Sequence, residues 1–72
     1  MKKTKLTDLP VASIVEINRF DYEYRGRDKK NLGFGKVECF VFYSEKLKSE
    51  RTFELHKFLK HELKNTNNKY IF

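Results

Sequence analysis

Basic side chains and aromatic rings crowd one stretch of this chain. Arg25, Arg27, Lys29, Lys30 and Lys36 lie close together, with Tyr22, Tyr24 and Phe34 among and beside them. Residues 26–36 carry four basic side chains against one acid, a local charge of +3. Lysine and arginine neutralise phosphates, and aromatic faces stack on bases. A two-stranded ribbon also fits a major groove. The plainer reading is a turn whose charges keep it wet. A second basic group, Lys57, Lys60 and Lys64 with His61 beside it, would form a phosphate-facing stripe on a helix. A solvated helix face has the same composition.

Other chemistry finds little support. His56 and His61 are separated by five positions, about 140° on a helix, so they do not share a face. Cys39 is the only cysteine; it lacks a CxxC or HxxxH partner and suits a core thiol in an apolar strand. The carboxylates Glu16, Asp21, Glu23 and Glu38 have Arg19 and Lys36 near enough to account for them as surface charge. No Ser-His-Asp arrangement and no phosphate-cradling glycine loop is present. We therefore assign no catalytic residue, no metal site, no cofactor and no small-molecule substrate, and expect a protein that is not an enzyme.

The segment GFGKVECF, residues 33–40, resembles in part the RNP1 strand of RNA-recognition motifs, K/R-G-F-G/A-F-V-x-F. Gly33-Phe34-Gly35 match. Lys36 stands where that pattern has an aromatic residue, and Phe40 is displaced. The strand and helix that precede RNP1 in that family have no room in residues 1–13, so the resemblance carries no family assignment.

These residues need elements to position them. Residues 13–25 (SIVEINRFDYEYR) alternate in period two and read as a strand. Val15 and Ile17 hold one parity and Phe20, Tyr22 and Tyr24 the other, so a bulge near Asn18-Arg19 or burial on different faces is expected. Residues 26–33 have turn chemistry. Residues 34–44 form a second strand, apolar on both faces in its later half, as a central strand would be. The two fit a long antiparallel hairpin turning near Lys29-Lys30, with Tyr22 opposite Val37, Phe20 opposite Cys39 and Glu23 opposite Lys36. After the polar connector 45–51, Leu55, Phe58, Leu59 and Leu63 recur at helical spacing. This predicts an amphipathic helix over about 52–65, capped by Thr52. Phe53 and Leu55 also alternate with charges, so 51–55 has a competing reading as a short strand. Tyr70-Ile71-Phe72 reads as a terminal strand or docked tail. Residues 1–10 read as a flexible basic arm or a lightly docked extension.

The fold expected is α+β: a long antiparallel β-hairpin (about 13–25 and 34–44), one amphipathic helix (about 52–65) packed on it, and a short C-terminal strand or tail, in a single domain. A chain of 72 residues has a marginal core, burying only about 60% of its unfolded surface. Aromatics at 15% nonetheless argue against disorder. A helix of about 14 residues spans roughly 21 Å, whereas a strand of about 11 residues spans roughly 36 Å. About 15 Å of ribbon would then lack a lid, exposing Phe20, Tyr22, Tyr24, Phe34 and Val37.

That exposure suggests a small binding or regulatory module. It would self-associate, as a homodimer, or hold another protein through the aromatic ribbon. The alternative is a DNA- or RNA-binding protein using the basic hairpin tip and the lysine face of the helix. A lone cysteine permits no internal disulfide, so a reducing, cytoplasmic setting is expected. The longest apolar run, Cys39–Tyr43, falls far below the ~20 residues that span a bilayer, and no apolar run follows the basic N-terminus as a secretory signal requires.

Overall fold

The structure, a computed structural model, describes residues 2–33 and 35–72. They form one seven-stranded sheet with spatial order β1-β6-β7-β2-β3-β4-β5. The strands are β1 (Lys3–Lys5), β2 (Ile14–Ile17), β3 (Phe20–Asn31), β4 (Lys36–Ser44), β5 (Ser49–Glu54), β6 (Glu62–Asn65) and β7 (Tyr70–Ile71). Helical structure among the described residues is confined to 3-10 turns at Leu6–Asp8 and Leu55–Lys57. The expected α+β class is therefore overturned.

The missing helix has a physical cause in β4. Its residues 39–42 are buried on both faces, so it is a central strand and its backbone needs partners on both sides. β3 supplies one side and β5 the other, with Phe53 opposite Phe40 and Arg51 opposite Phe42. A helix over 52–65 would have left one edge of β4 open. Residues 45–48 turn the chain tightly, with Lys48 at φ 52° and Leu47 N–H donating to the buried Ser44 Oγ at 3.1 Å. The strand reading of 51–55 is thus the one the chain adopts up to Glu54. Of the residues on the supposed helical stripe, Leu63 is fully buried on β6 and Leu59 is 49% exposed in a turn.

The single strand expected over 13–25 is two strands. Asn18 and Arg19, with φ of 52° and 72°, form a two-residue turn with both residues left-handed, the geometry that matches strand twist in tight hairpins. Turning back reverses the parity, so Val15 faces Tyr22 and Ile17 faces Phe20. That accounts for the parity change without a bulge at that point. The bulge lies later. Tyr24 pairs with Phe42 and Gly26 with Val41, leaving Arg25 as the extra residue.

Residues 26–31, expected as a turn, continue β3 to Asn31. The observed register places Glu23 opposite Tyr43 and Lys30 opposite Val37, in place of the pairings expected for a turn at Lys29-Lys30. The reversal falls where Gly33 and Gly35 take φ of 93° and 117°. Beyond the reach of β2 and β5, the pairs formed by residues 29–31 and 36–38 make the outer, two-stranded part of the β3–β4 arm. Such an arm buries little, so its sequence needs no apolar alternation.

Both chain ends are part of the sheet. β1 pairs with β6, and Leu6 N–H donates to His61 O at 2.9 Å. β7 joins β6 on one side and runs parallel to β2 on the other, with Phe72 N–H donating to Glu16 O at 2.9 Å. Residues 3–9, read from sequence as part of a flexible arm, thus contribute a strand and two core leucines, Leu6 and Leu9. Leu6, Leu9, Val15, Ile17, Tyr22, Tyr24, Phe40, Phe42 and Leu63 share one buried cluster, with Phe53, Phe58 and Phe72 packed against it. Tyr24 and Phe72 flank Phe42 at ring distances of 5.2 and 6.2 Å. The ribbon tyrosines, Tyr22 and Tyr24, are covered by residues from both ends of the chain, Leu6, Leu9 and Phe72 among them. With no helix present, the expected uncovered stretch of tyrosines is absent, and the length of ribbon that lacks a cover is the polar outer arm.

Candidate nucleic-acid interface

The sheet register decides which basic residues act together. Directly opposed residues of an antiparallel pair share a face, and the face alternates along the strand. After the bulge, Arg27 opposes Phe40, Lys29 opposes Glu38 and Asn31 opposes Lys36. These six residues continue the face that carries Phe42 and Phe53 into the core. Arg51, opposite Phe42 on β5, belongs to the same face. The arm therefore extends the core-side face of the sheet outward, exchanging rings for cations.

Arg27, Lys29, Lys36 and Arg51 make no ion pair within 4.0 Å among the described residues. Arg27 lays its guanidinium 5.8 Å from the Phe40 ring centre, and its Nη2 lies 3.5 Å from Thr7 O. Arg51 sits 5.7 Å from the Phe53 ring centre. Each guanidinium is thus steadied by an aromatic face, with no carboxylate bound to it among the described residues. Burial raises the Tyr24 hydroxyl above its ordinary pKa, and the charge of Arg27 pulls it part of the way back. Glu38 is the one carboxylate set among these cations by the ladder, and it makes no ion pair with Lys29.

The opposite face of the arm is electrically quiet. Lys30 Nζ lies 3.1 Å from Glu50 and 3.9 Å from Asp28. Arg25, on the bulge, is 2.8 Å from Glu23 and stacks over Tyr43 at 5.1 Å. Of the five basic residues singled out near the hairpin tip, the structure brings Arg27, Lys29 and Lys36 onto one face and ties Arg25 and Lys30 into ion pairs elsewhere.

The second basic group is dispersed. Lys57, on the 3-10 turn, lies 2.9 Å from Glu54, whose carboxyl it holds below the usual range. Lys60 is exposed in the following turn. Lys64 is on β6 opposite Lys3. A lysine stripe required the helix, and it goes with it. Arg51 was missed because 45–51 reads as a polar connector; its alternation with Phe53 was the available signal.

Of the aromatic ribbon residues, Tyr22 and Tyr24 are each 4% exposed and belong to the core. Val37 is half-buried and Phe20 is 37% exposed, at the far end of β3 from the arm. The expectation for Phe34 lies outside the described residues. No helix among the described residues is long and apolar enough to cross a membrane. No family model matches the chain, and neither the curated proteins nor the solved structures searched include a detectably similar one.

Proposed function

We propose that this chain is a non-enzymatic module that binds nucleic acid through the phosphate backbone. Arg27, Lys29 and Lys36 on the core-side face of the β3–β4 arm, with Arg51 beside them, are the gripping residues. The observation that carries this reading is the separation of charges. Among the described residues these four cations share one face and have no carboxylate partner within ion-pair distance, whereas Lys30 and Arg25, their neighbours in sequence, are already paired, and Lys60 and Lys64, also unpaired, lie on other elements. A cation held by its own carboxylate must surrender that partner to take a phosphate; a free one need not.

A duplex is favoured over a single strand. Single-strand binders rely on exposed rings to stack on bases, and among the described residues the rings that the register sets on this face of β3 and β4, Tyr24, Phe40 and Phe42, are buried. A duplex offers phosphates on both sides of a groove that admits a two-stranded ribbon. The formal charge of +6 supports approach to any polyanion. Of the ribbon residues expected to contact a protein, Tyr22 and Tyr24 are already buried within the chain, which favours nucleic acid over a protein partner at this face. The test is fluorescence anisotropy of a labelled duplex of about 20 base pairs at low salt, with a single strand of the same sequence alongside. The reading expects binding, tighter for the duplex; absence of binding to either would end it.

A further inference from the structure

The sheet has two edges, and they are unlike. β1 is three residues long and carries Lys3 and Lys5, the kind of short, lysine-bearing edge that resists pairing. β5 is six residues long, Ser-Glu-Arg-Thr-Phe-Glu, with no lysine, proline or bulge. Alternate residues of such a strand point their N–H and C=O away from the neighbour, and among the described residues no backbone group of β5 finds a hydrogen bond outside the β4 ladder. Thr52 and Phe53 on this edge are half-buried, and Phe53 lies against the core cluster.

We infer that β5 pairs with β5 of a second copy, antiparallel across a two-fold axis at Thr52, joining two sheets into one. The sequence of the strand selects this register. A continuous sheet keeps core-side residues opposite core-side residues, so the axis must pass through a residue position. Centred on Arg51, the pairing would oppose two guanidinia; centred on Phe53, it would run off the strand after Glu54 and keep three paired positions in place of five. Centred on Thr52, it sets Arg51 against Phe53 of the second copy, and Phe53 against Arg51 of the second copy. Within one chain these two residues already stack, with the guanidinium 5.7 Å from the ring centre, so the pairing repeats that contact between copies. Glu50 then opposes Glu54 of the second copy. Both carboxylates carry their own cation, Lys30 at 3.1 Å and Lys57 at 2.9 Å, so ion pairs, not bare charges, meet.

A single strand-to-strand contact of this length belongs with the small interfaces, below about 1,200 Å² of total buried area, so the dimer is weak and concentration-dependent. It places the free cations of both copies on one continuous face. The inference stands on the edge itself and does not require that the protein bind nucleic acid.

Thr52 opposes its own copy, which makes it the discriminating position. Sedimentation velocity of the unmodified chain, free of nucleic acid, across micromolar to millimolar concentration is expected to show monomer converting to dimer. Thr52→Lys sets like charges face to face and should weaken the dimer at least tenfold with no change in circular dichroism. As a second variant, Thr52→Cys should cross-link between copies on mild oxidation, because directly opposed residues have Cβ atoms about 4.5–5.5 Å apart. Thr4→Cys on the β1 edge should not, and the native Cys39 is buried. A chain that stays monomeric throughout overturns the inference. So does a dimer indifferent to Thr52→Lys, or cross-linking at Thr4→Cys equal to that at Thr52→Cys.

Discussion

Removing two free cations from the arm should change how salt governs binding, by an amount the structure allows one to calculate. Four unpaired cations occupy the core-side face, Arg27, Lys29, Lys36 and Arg51. If each displaces counterions from one phosphate of a duplex, the slope of log K against log salt is about −0.9 × 4, or roughly −3.6. Raising salt from 50 to 200 mM then weakens binding about 150-fold. The double variant Lys29→Ala/Lys36→Ala leaves two such contacts, a slope near −1.8 and a loss of only about 12-fold over the same range. The informative control removes equal charge from paired lysines. Lys30 is 3.1 Å from Glu50 and Lys48 is 3.4 Å from Glu45, so Lys30→Ala/Lys48→Ala should keep a slope close to that of the unmodified chain. Lys30 is also on the same arm, one residue from Lys29, on the other face. Anisotropy titrations at five salt concentrations give the three slopes. Equal slopes for the two double variants would mean that net charge alone, and not the separation of free from paired cations, controls binding.

Three further outcomes test the fold that presents this face. Gly26→Ala should destabilise by about 1–2 kcal/mol in a urea melt, because the backbone is at φ +92°; the space is available, the nearest atom to an added Cβ being Val11 Cγ2 at 3.5 Å. Adding Val11→Ala should not restore stability, and a restoration would mean that sterics and not backbone strain dominate. Leu6→Ala should cost about 2–5 kcal/mol, since Leu6 is fully buried although it lies in the first ten residues; an unchanged midpoint would mean that the N-terminal segment is not part of the core. Burial pushes His61 below its ordinary value of 6.5, and its ring stacks on Phe72 at 4.3 Å. The unfolded chain therefore takes up this proton more readily than the folded one. The stability this provides is complete above pH 6.5 and is lost as pH falls toward the lower folded value. Melting temperature should decline from pH 7.5 to 5.5, and His61→Phe should decline less; parallel profiles would remove the assignment.

The sequence made β4 readable because its signal is local. Val37, Cys39, Val41 and Tyr43 alternate, and Phe40 and Phe42 fill the other face, which marks a buried central strand. The terminal strand at Tyr70-Ile71 and the concentration of basic residues around 25–36 were readable on the same grounds. The helix expectation failed because Leu55, Phe58, Leu59 and Leu63 satisfy helical spacing by coincidence. What overrode them was the demand of β4 for a partner on its second side, a requirement set by distant residues and not by 52–65 themselves. Asn18-Arg19 hid a tight turn because the second position is not glycine, though the parity change at that point recorded the turn's effect. Leu6 and Leu9 were too sparse to show periodicity, and their burial depends on strands 50 or more residues away. At the interface, charge composition revealed which stretch was basic but not which cations were free. That division depends on the bulge at Arg25, which sets the faces of every later residue in β3, and on acids such as Glu50 brought in by β5.

Heteronuclear NMR of the labelled chain titrated with duplex, at low salt, would locate the contact without any substitution. Amide shifts are expected to concentrate in residues 27–31, 36–38 and around Arg51, with little change at Lys57, Lys60 and Lys64. Shifts concentrated instead on the surface around Lys3 and Lys64, or spread evenly over all lysines, would contradict this placement of the contact.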